Sequence, residues 1–411
     1  MRVPLTPGRC GLARRGTSDR VVARCGQICR ACGELSRRVA GRASDGGGIA
    51  ILCDSAHHEY ATEQAIALRE LGVKVTLVCV DRRNDTGTFG SDRDAVLARA
   101  TDHGVTAAVM RRRSTRRLIA DTRWLLRVLK RARVAVLIAH QSYDPRFALA
   151  GLRYPTVVFL HDPSPHSDDP LSVLPMAART VARFAEVTAT AVAIHSTSLD
   201  GQVKALVARH PRIHVPHGAS VSYSPASIPR APHLLVYGRL SGYKGVDIAI
   251  AAYARVRAVL PEVTLTVAGR GPEGDALARL KLPGFELDDR YVPRREVDEL
   301  LESATLVLLP YRDATQSGIG TQALGRGIPC VVSNVGALPD LVRAVAPGLV
   351  IPPGDADALA SAILAYLDHG IDLRRDLQAY ARAAYAWPVA ANCLVVACTQ
   401  MGIRVRNAAG V

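Results

Sequence analysis

The sequence predicts an α/β protein with two domains, each built on a parallel β-sheet that is covered by helices on both faces. Short apolar runs alternate with segments of helical periodicity over most of the chain, which is typical of parallel sheets. At 411 residues the chain is too long for one ordinary hydrophobic core. A segment with two prolines and no periodicity, at about 224–233, divides the pattern into two series.

The first series predicts an N-terminal domain at 48–228. It begins near Ile49, after the flexible stretch "SDGGG". The segment "ATEQAIALRELG" has apolar residues at helical spacing and predicts a helix that ends at Gly72. The predicted strands are short apolar runs that end in polar residues: "GIAILCD", "VKVTLVCVD", "VAVLIAH", "TVVFLHD" and "AVAIHS".

The second series predicts a C-terminal domain at 229–384, followed by a last helix within 385–411. Its strands are predicted at "LLVYG", "TLTVAG", "FELDD", "TLVLLP" and "PCVVS", with helical segments between them. The most apolar stretch of the chain, "WPVAANCLVVACTQMGI", is interrupted by Pro388, Asn392, Thr399 and Gln400. It is shorter than the roughly 18–20 apolar residues of a membrane span, and we interpret it as a packing helix.

The net charge of +15 is concentrated in two segments. Residues 1–47 carry +7 and residues 111–133 carry +9, so the rest of the chain is close to neutral. This distribution does not indicate nucleic-acid binding. The scattered cysteines suit a reducing cytoplasm, where we expect the protein to be located.

Residues 1–47 are predicted to be an Arg/Cys-rich leader without stable structure. The spacing of Cys25, Cys29 and Cys32 could hold three irons of an iron–sulfur cluster, but nothing else in this segment supports that hypothesis.

Residues 111–133 predict a basic amphipathic helix. Leu118, Leu125 and Leu129 share one face, and arginines surround much of the rest. Two interpretations stay open. The helix could make peripheral contact with an anionic membrane, or it could pack on the core with a solvated outer face.

The loop "YGRLSGYKGVD", which follows the first strand of the second series, indicates an anion site. Ligands of open parallel sheets bind beyond the carboxyl ends of the strands. Gly242 and Gly245 allow a close backbone approach, and the helix that begins at Val246 presents unpaired N–H groups. Arg239 and Lys244 add two positive charges, so a diphosphate is the ligand that this loop favours.

Two further loops of the second series carry glycine or small polar residues. Gly269, Gly271 and Gly274 match G-x-G-x-x-G, the dinucleotide fingerprint, but they follow the second strand rather than the first, so the match is weak evidence for NAD. The stretch from Thr315 to Gly318 leads into a helix and could cradle phosphate oxygens.

Five segments of the second series, in this order and spacing, resemble the C-terminal half of the family 4 retaining glycosyltransferases. They are "GRLSGYKGVD", "LTVAGRGPE", "LVLLPYRDATQSG", "QALGRGIPCVVSNVGALPDLV" and "GLVIPPGDADALASAI". "VVFLHDPSPH" and "VAIHS…VPHG" resemble the N-terminal half. The resemblance implies the GT-B fold, in which two Rossmann-like domains face each other across a cleft and the C-terminal helix crosses back to the N-terminal domain.

The resemblance also implies a function: transfer of a hexose-type sugar, with retention, from a nucleotide-diphosphate donor to a hydroxyl acceptor. The acceptor could be a glycan, a lipid-linked glycan or a small metabolite, and no metal or other cofactor is expected. The catalytic residues would be His161, beside the donor sugar, together with Arg239 and Lys244, which neutralise the diphosphate.

The implied binding residues fall into two groups. The donor-binding residues would be Gly238, Arg239, Lys244, Gly269, Gly271, Thr315, Gln316, Ser317, Gly318, Ile319 and Gln322. The acceptor-binding residues would be Asp54, His57, His58 and Asp162, although the first three could also be ordinary polar loop residues. His195 and His217 are interpreted as structural.

One departure from the family pattern concerns two glutamates, which are replaced here by Ala314 and Gln322. Gln322 can still hydrogen-bond a ribose hydroxyl, whereas Ala314 can hold no sugar hydroxyl. Neither can act as a carboxylate nucleophile, so front-side attack is favoured if configuration is retained. Two alternatives stay open: a non-catalytic GT-B module that binds a nucleotide sugar or glycan, and an NAD-dependent oxidoreductase.

Overall fold

The computed structural model describes most of the chain from Gly46 onwards. The described residues are 46–54, 57–81, 93–111, 117–140, 144–163, 176–203, 207–369 and 372–405. The predicted leader therefore lies almost entirely outside them. They form two α/β units, each with its own sheet.

The first unit contains a seven-stranded parallel sheet in the order β3-β2-β1-β4-β5-β6-β7. Its strands are β1 (Gly48–Cys53), β2 (Val75–Asp81), β3 (Thr106–Arg111), β4 (Val134–His140), β5 (Thr156–Phe159), β6 (Ala191–Ile194) and β7 (Arg212–His214). Its helices are α1 (His58–Glu70), α2 (Arg93–Asp102), α3 (Leu118–Arg131), α4 (Pro145–Gly151) and α5 (Met176–Thr188), with a 3₁₀ helix at Thr197–Gln202.

The second unit contains a six-stranded parallel sheet in the order β10-β9-β8-β11-β12-β13. Its strands are β8 (His233–Tyr237), β9 (Thr264–Ala268), β10 (Phe285–Asp288), β11 (Leu306–Leu309), β12 (Cys330–Ser333) and β13 (Val350–Ile351). Its helices are α6 (Val246–Val259), α7 (Gly274–Leu277), α8 (Arg294–Ser303), α9 (Gly318–Gly325), α10 (Ala356–His369) and α11 (Arg374–Ala384), and 3₁₀ turns lie at Gly242–Lys244, Leu338–Leu341 and Pro347–Leu349.

In each sheet the strand order reverses beside its first strand, between β1 and β4 and between β8 and β11. Such a reversal leaves a crevice at the carboxyl ends of the two strands, which is where open α/β sheets bind ligands. The loops after β8 and β11 are therefore the expected ligand loops of the second unit.

The last helix, α12 (Trp387–Gln400), packs on the first unit, as the sequence predicted. Trp387, Ala390 and Leu394 belong to the same hydrophobic core as Ile49 and Leu68. This crossover helix and the two facing sheets confirm the predicted fold class.

The basic segment forms α3, which packs against the first sheet. Leu125 and Leu129 are fully buried in a core with Leu52 and Leu137, whereas Ile119 is 68% exposed. The apolar face is thus largely used within the fold, and contact of the cationic face with a membrane stays a prediction. Within the described ranges, no helix combines the length and the apolar character that crossing a bilayer would require.

Candidate functional site

The loop after β8 packs closely on the second sheet because residue 245 is a glycine. Gly245 has φ +66°, and a Cβ there would lie 2.1 Å from the carbonyl oxygen of Pro310, directly after β11. Only glycine allows this approach without displacing the backbone. The loop therefore lies over the crevice between β8 and β11, and it carries Arg239 and Lys244.

Lys244 joins the two ligand loops of the second unit. Its ammonium donates to Tyr311 Oη at 2.8 Å and lies 4.4 Å from the centre of the Tyr311 ring. Tyr311 Oη is 3.3 Å from Ser317 Oγ. Burial lowers the pKa of Lys244, but Tyr311 and Tyr243 together raise it by more than burial lowers it. The net pKa therefore lies above the ordinary lysine value. The side chain is therefore cationic at neutral pH.

The glycines of "GRGPEG" support this loop from behind. A Cβ at Gly269, where φ is +133°, would lie 1.9 Å from the carbonyl oxygen of Gly238, and one at Gly271 would lie 2.1 Å from that of Leu240. Glycine is needed at 269 and 271 because this loop packs closely on the loop after β8. The glycine pattern is thus explained by packing and no longer supports NAD binding. A direct contact of Gly269 or Gly271 with a donor stays a prediction.

The loop after β11 ends in a helix N-terminus suited to an anion. Ser317 caps α9, and its Oγ accepts from the backbone N–H of Gly320 at 3.2 Å. The first N–H groups of a helix, here those of Gly318 and Ile319, have no partner within the helix. In the described part of the chain, the side-chain oxygens of Gln316 and Gln322 are buried without a hydrogen-bond partner. The N–H groups can donate to phosphate oxygens, and the two amide oxygens can accept from hydroxyl groups.

Ala314 and Thr315 occupy different environments in this loop. Ala314 is 1% exposed and packs in the core of the second unit. Thr315 donates its hydroxyl to Asp162, which follows β5 of the first unit. Asp162, predicted to bind the acceptor, thus lies against the loop after β11.

The first unit contributes a group of histidines. His161 is 5% exposed, and its two ring nitrogens lie 2.9 Å from His140 Nδ1 and 3.0 Å from His195 Nε2. Its ring stacks on His57 with the centroids 4.5 Å apart. Both nitrogens of His161 are thus engaged by protein groups, so contact with a sugar would use another edge of the ring or the backbone.

Burial keeps His140, His161, His195 and His217 neutral. It lowers the pKa of His140 and His161 well below the ordinary histidine value, that of His195 to about 4 and that of His217 to about 3. A Cβ on Gly318 would be 3.7 Å from the His217 ring, so His217 faces the start of α9. His217 was predicted to be structural, and its position after the last strand of the first sheet is the sequence signal for a residue that faces the cleft.

The loop after β1 holds an Asp–His pair. His57 Nδ1 lies 3.0 Å from Asp54 Oδ1, and the His57 side chain is 22% exposed. With Nδ1–H donated to the carboxylate, Nε2 carries the lone pair and can accept from a hydroxyl. His58, also predicted to bind the acceptor, is 5% exposed at the start of α1, and its contact with an acceptor stays a prediction.

The two units also meet at Asp340. Asp340 Oδ2 accepts from Ser196 Oγ at 2.5 Å and from Ser198 Oγ at 2.9 Å. Together with the Thr315–Asp162 contact, these bonds hold the loops of both sheets against each other across the cleft.

Two α/β units with facing ligand loops and a C-terminal crossover helix define the GT-B class of glycosyltransferases. The chain belongs to the glycosyltransferases of family 4: residues 58–215 match the family model "Glycosyltransferase Family 4", and residues 231–369 match "Glycosyl transferases group 1". Together these ranges make up well over half of the chain.

Known relatives and structures agree with this assignment. Glycogen synthase of Mycobacterium tuberculosis is 35% identical over 142 residues, which are 33% of this chain and 34% of that protein. The alignment thus spans about a third of this curated relative. HepE of Anabaena in complex with UDP has a TM-score of 0.64 at 16% identity, covering 85% of this chain and 98% of that one. Sucrose-phosphate synthase of Thermosynechococcus elongatus has a TM-score of 0.64 at 15% identity, covering 85% and 97%. At these identities the structures support the fold alone.

Proposed function

We propose that this protein transfers a hexose-type sugar from a nucleoside-diphosphate sugar to a hydroxyl acceptor, with retention of configuration. The observation that carries the proposal is the Lys244–Tyr311–Ser317 cluster, which joins two ligand loops at the crevice of the second sheet. HepE was solved with UDP and with UDP-glucose, so a uridine nucleotide is the first donor to test.

The diphosphate would bind between Lys244 and Arg239 on one side and the N-terminus of α9 on the other. When the bond from the anomeric carbon to the phosphate oxygen breaks, its electron pair stays on the diphosphate. The two cations and the helix dipole would stabilise this growing negative charge more in the transition state than in the ground state. They also supply the countercharge, so we propose that no metal is required.

Retention would proceed by front-side attack, since Ala314 and Gln322 offer no carboxylate nucleophile. The acceptor oxygen would bond to the anomeric carbon on the face that the diphosphate leaves, and the hydroxyl proton would pass to a leaving phosphate oxygen. His57 Nε2 can orient the acceptor hydroxyl, because Asp54 holds the opposite nitrogen.

A second candidate, a non-catalytic module that binds a nucleotide sugar, is favoured by the apolar burial of Ala314. Calorimetric titration of the full chain with UDP, GDP and NAD, repeated on the double variant Arg239→Ala/Lys244→Ala, tests the donor site. Binding of one nucleoside diphosphate that is lost in the double variant supports it, and no diphosphate binding by folded protein contradicts it. Hydrolysis of the matching donor sugar then distinguishes an enzyme from an inactive module.

A further inference from the structure

A continuous chain of hydrogen bonds runs through the first unit beneath the cleft. It begins at the carbonyl oxygen of Val215, 3.1 Å from His195 Nδ1, and continues from His195 Nε2 to His161 Nδ1 at 3.0 Å. His161 Nε2 lies 2.9 Å from His140 Nδ1, and His140 Nε2 lies 3.1 Å from the side-chain amide of Gln64 in α1. The three histidines are between 0% and 6% exposed.

The direction of this chain follows from its first acceptor. The Val215 carbonyl can only accept, so His195 carries its proton on Nδ1. In a neutral His195 ring Nε2 then accepts, which requires the proton of His161 on Nδ1. By the same argument His161 Nε2 accepts from His140 Nδ1–H. All three neutral rings are therefore Nδ1–H tautomers, and His140 Nε2 presents a lone pair to Gln64.

Gln64 must therefore donate to His140. With its amide oxygen towards His140, the amide nitrogen of Gln64 is buried without a partner in the described part of the chain. A half-turn of the nearly symmetric amide gives His140 Nε2 a donor. The four hydrogen bonds could also form with the amide oxygen towards His140 if one of the three rings carried a second proton. Burial opposes such an imidazolium, because it lowers the pKa of all three histidines.

Other charged and titratable groups face the chain from several elements. The Asp162 carboxylate raises the pKa of His195, whereas His57, whose ring stacks on His161, lowers it. His217 lowers the pKa of His161, and the Tyr60 ring contacts His161 edge-on at 5.1 Å. The Asp54 carboxylate bonds to His57 at 3.0 Å. Burial outweighs the effect of the Asp162 carboxylate on His195, so these neighbours leave the chain neutral.

We propose that Gln64, His140 and His195 are positioning residues that hold His161 as a neutral Nδ1–H tautomer, so that the pocket wall beside the donor sugar carries no positive charge. This inference rests on the proposed function. As the bond to the diphosphate breaks, the sugar gains positive charge at the anomeric carbon, and an imidazolium in this wall would repel it. A neutral imidazole adds no such repulsion.

The substitution Gln64→Glu tests the inference, because an ionised carboxylate can only accept, whereas a protonated one would donate as the amide does. His140 Nε2 would then need a proton, while Val215 still requires one on His195, so the chain would gain one proton. Gln64→Met is the matched control: it removes the donor and adds no charge. The experiment is ¹⁵N-histidine NMR of the full chain without substrate, from pH 5.5 to 8.

In the wild type we expect three neutral Nδ1–H rings that do not titrate over this range. In Gln64→Glu we expect one imidazolium, and in Gln64→Met none. An Nε2–H tautomer in any of the three wild-type rings would overturn the inference, as would three neutral rings in a folded Gln64→Glu protein whose introduced carboxyl group is ionised in ¹³C NMR. The tautomers of the wild type are measured without any variant, so the inference can be tested even if Gln64→Glu does not fold.

Kinetics address the role in transfer. Gln64→Glu should lower kcat at least tenfold at pH 7, with UDP affinity changed less than threefold, and activity should recover as the pH is raised and the extra proton is lost. Equal activity of the wild type and Gln64→Glu would overturn the charge argument. If the three rings have the predicted tautomers but the protein binds no nucleoside diphosphate, the proposed function is contradicted and the tautomer assignment still holds.

Discussion

Replacing Lys244 by methionine should remove the main positive charge of the donor site while the side-chain volume is nearly kept. The ammonium is held at 2.8 Å from Tyr311 Oη and packs over the Tyr311 ring. Methionine can fill the same space against that ring and against Tyr243. The variant is therefore expected to fold, and its defect should be confined to anion binding.

The size of the effect follows from the charge and its surroundings. Two unit charges about 4 Å apart interact by about 4 kcal/mol at an effective dielectric constant of about 20. Competition with water reduces this to about 1.5–3 kcal/mol for a hydrogen bond to a charged group. At about 1.4 kcal/mol for each factor of ten, UDP affinity should fall about 10- to 150-fold.

Calorimetric titration with UDP measures this loss, and Lys281→Met is the matched control, since Lys281 is an exposed lysine of the same unit. Turnover with a donor sugar should fall more than affinity, because the charge on the diphosphate grows as the sugar departs. A Lys244→Met protein that binds UDP within threefold of the wild type would refute the assignment of the donor site.

Four further predictions concern other contacts of the site and the cleft. Gln322→Ala should weaken UDP binding about 3- to 10-fold, as loss of one hydrogen bond does, and leave pyrophosphate binding unchanged; equal losses for both ligands in calorimetry would contradict a ribose contact. Gly269→Ala should destabilise the fold by more than about 1 kcal/mol, because its Cβ would lie 1.9 Å from the Gly238 oxygen; an unchanged denaturant midpoint would contradict this. Asp340→Ala should loosen the contact between the units and enlarge the radius of gyration in X-ray scattering, whereas an unchanged radius would show that other contacts suffice. The free energy of unfolding should fall as the pH is lowered from about 6.5 to 4, because the pKa of His195 is about 4 in the folded protein and the unfolded chain takes up the proton first. His195 alone should account for a loss of about 3 kcal/mol. Urea titrations in which His195→Asn shows the same pH dependence as the wild type would refute this.

The sequence could predict the loop after β8 because its signal is local. Arg239, Gly242, Lys244 and Gly245 lie within seven residues of one another, and a loop between an apolar run and a helix can be read without knowing the rest of the fold. The bond from Lys244 to Tyr311 could not be predicted in the same way. It depends on β11 lying beside β8, and strand order is a property of the whole sheet.

Two strands that the apolar pattern of the sequence does not predict lie at the edges of the first sheet. β3 (Thr106–Arg111) and β7 (Arg212–His214) each pair with a single neighbour. An edge strand needs less apolar sequence than a central one, because part of it stays exposed; Val109 is 38% exposed. The continuous apolar runs that identified β1 and β4 are therefore missing at the edges.

The hydrogen bonds of the histidine chain could not be predicted from the sequence either. Each of His140, His161 and His195 stands at the end of an apolar run, so each could be recognised as a strand-end histidine. Their hydrogen bonds exist because β4, β5 and β6 are neighbours in the sheet. A polar residue of one type at the ends of successive predicted strands is the signal that could have indicated the cluster.

The charge distribution of the cleft has a consequence for the reaction we propose. The diphosphate would face the cations Lys244 and Arg239, whereas the sugar would face neutral histidines. The family's carboxylate position is occupied by Ala314, buried in the core of the second unit. Asp162 is a carboxylate that reaches the loop after β11, but it accepts a hydrogen bond from Thr315, which lowers its nucleophilicity. The departing diphosphate is then the anion best placed to stabilise the positive sugar, so we expect the acceptor to attack within that ion pair.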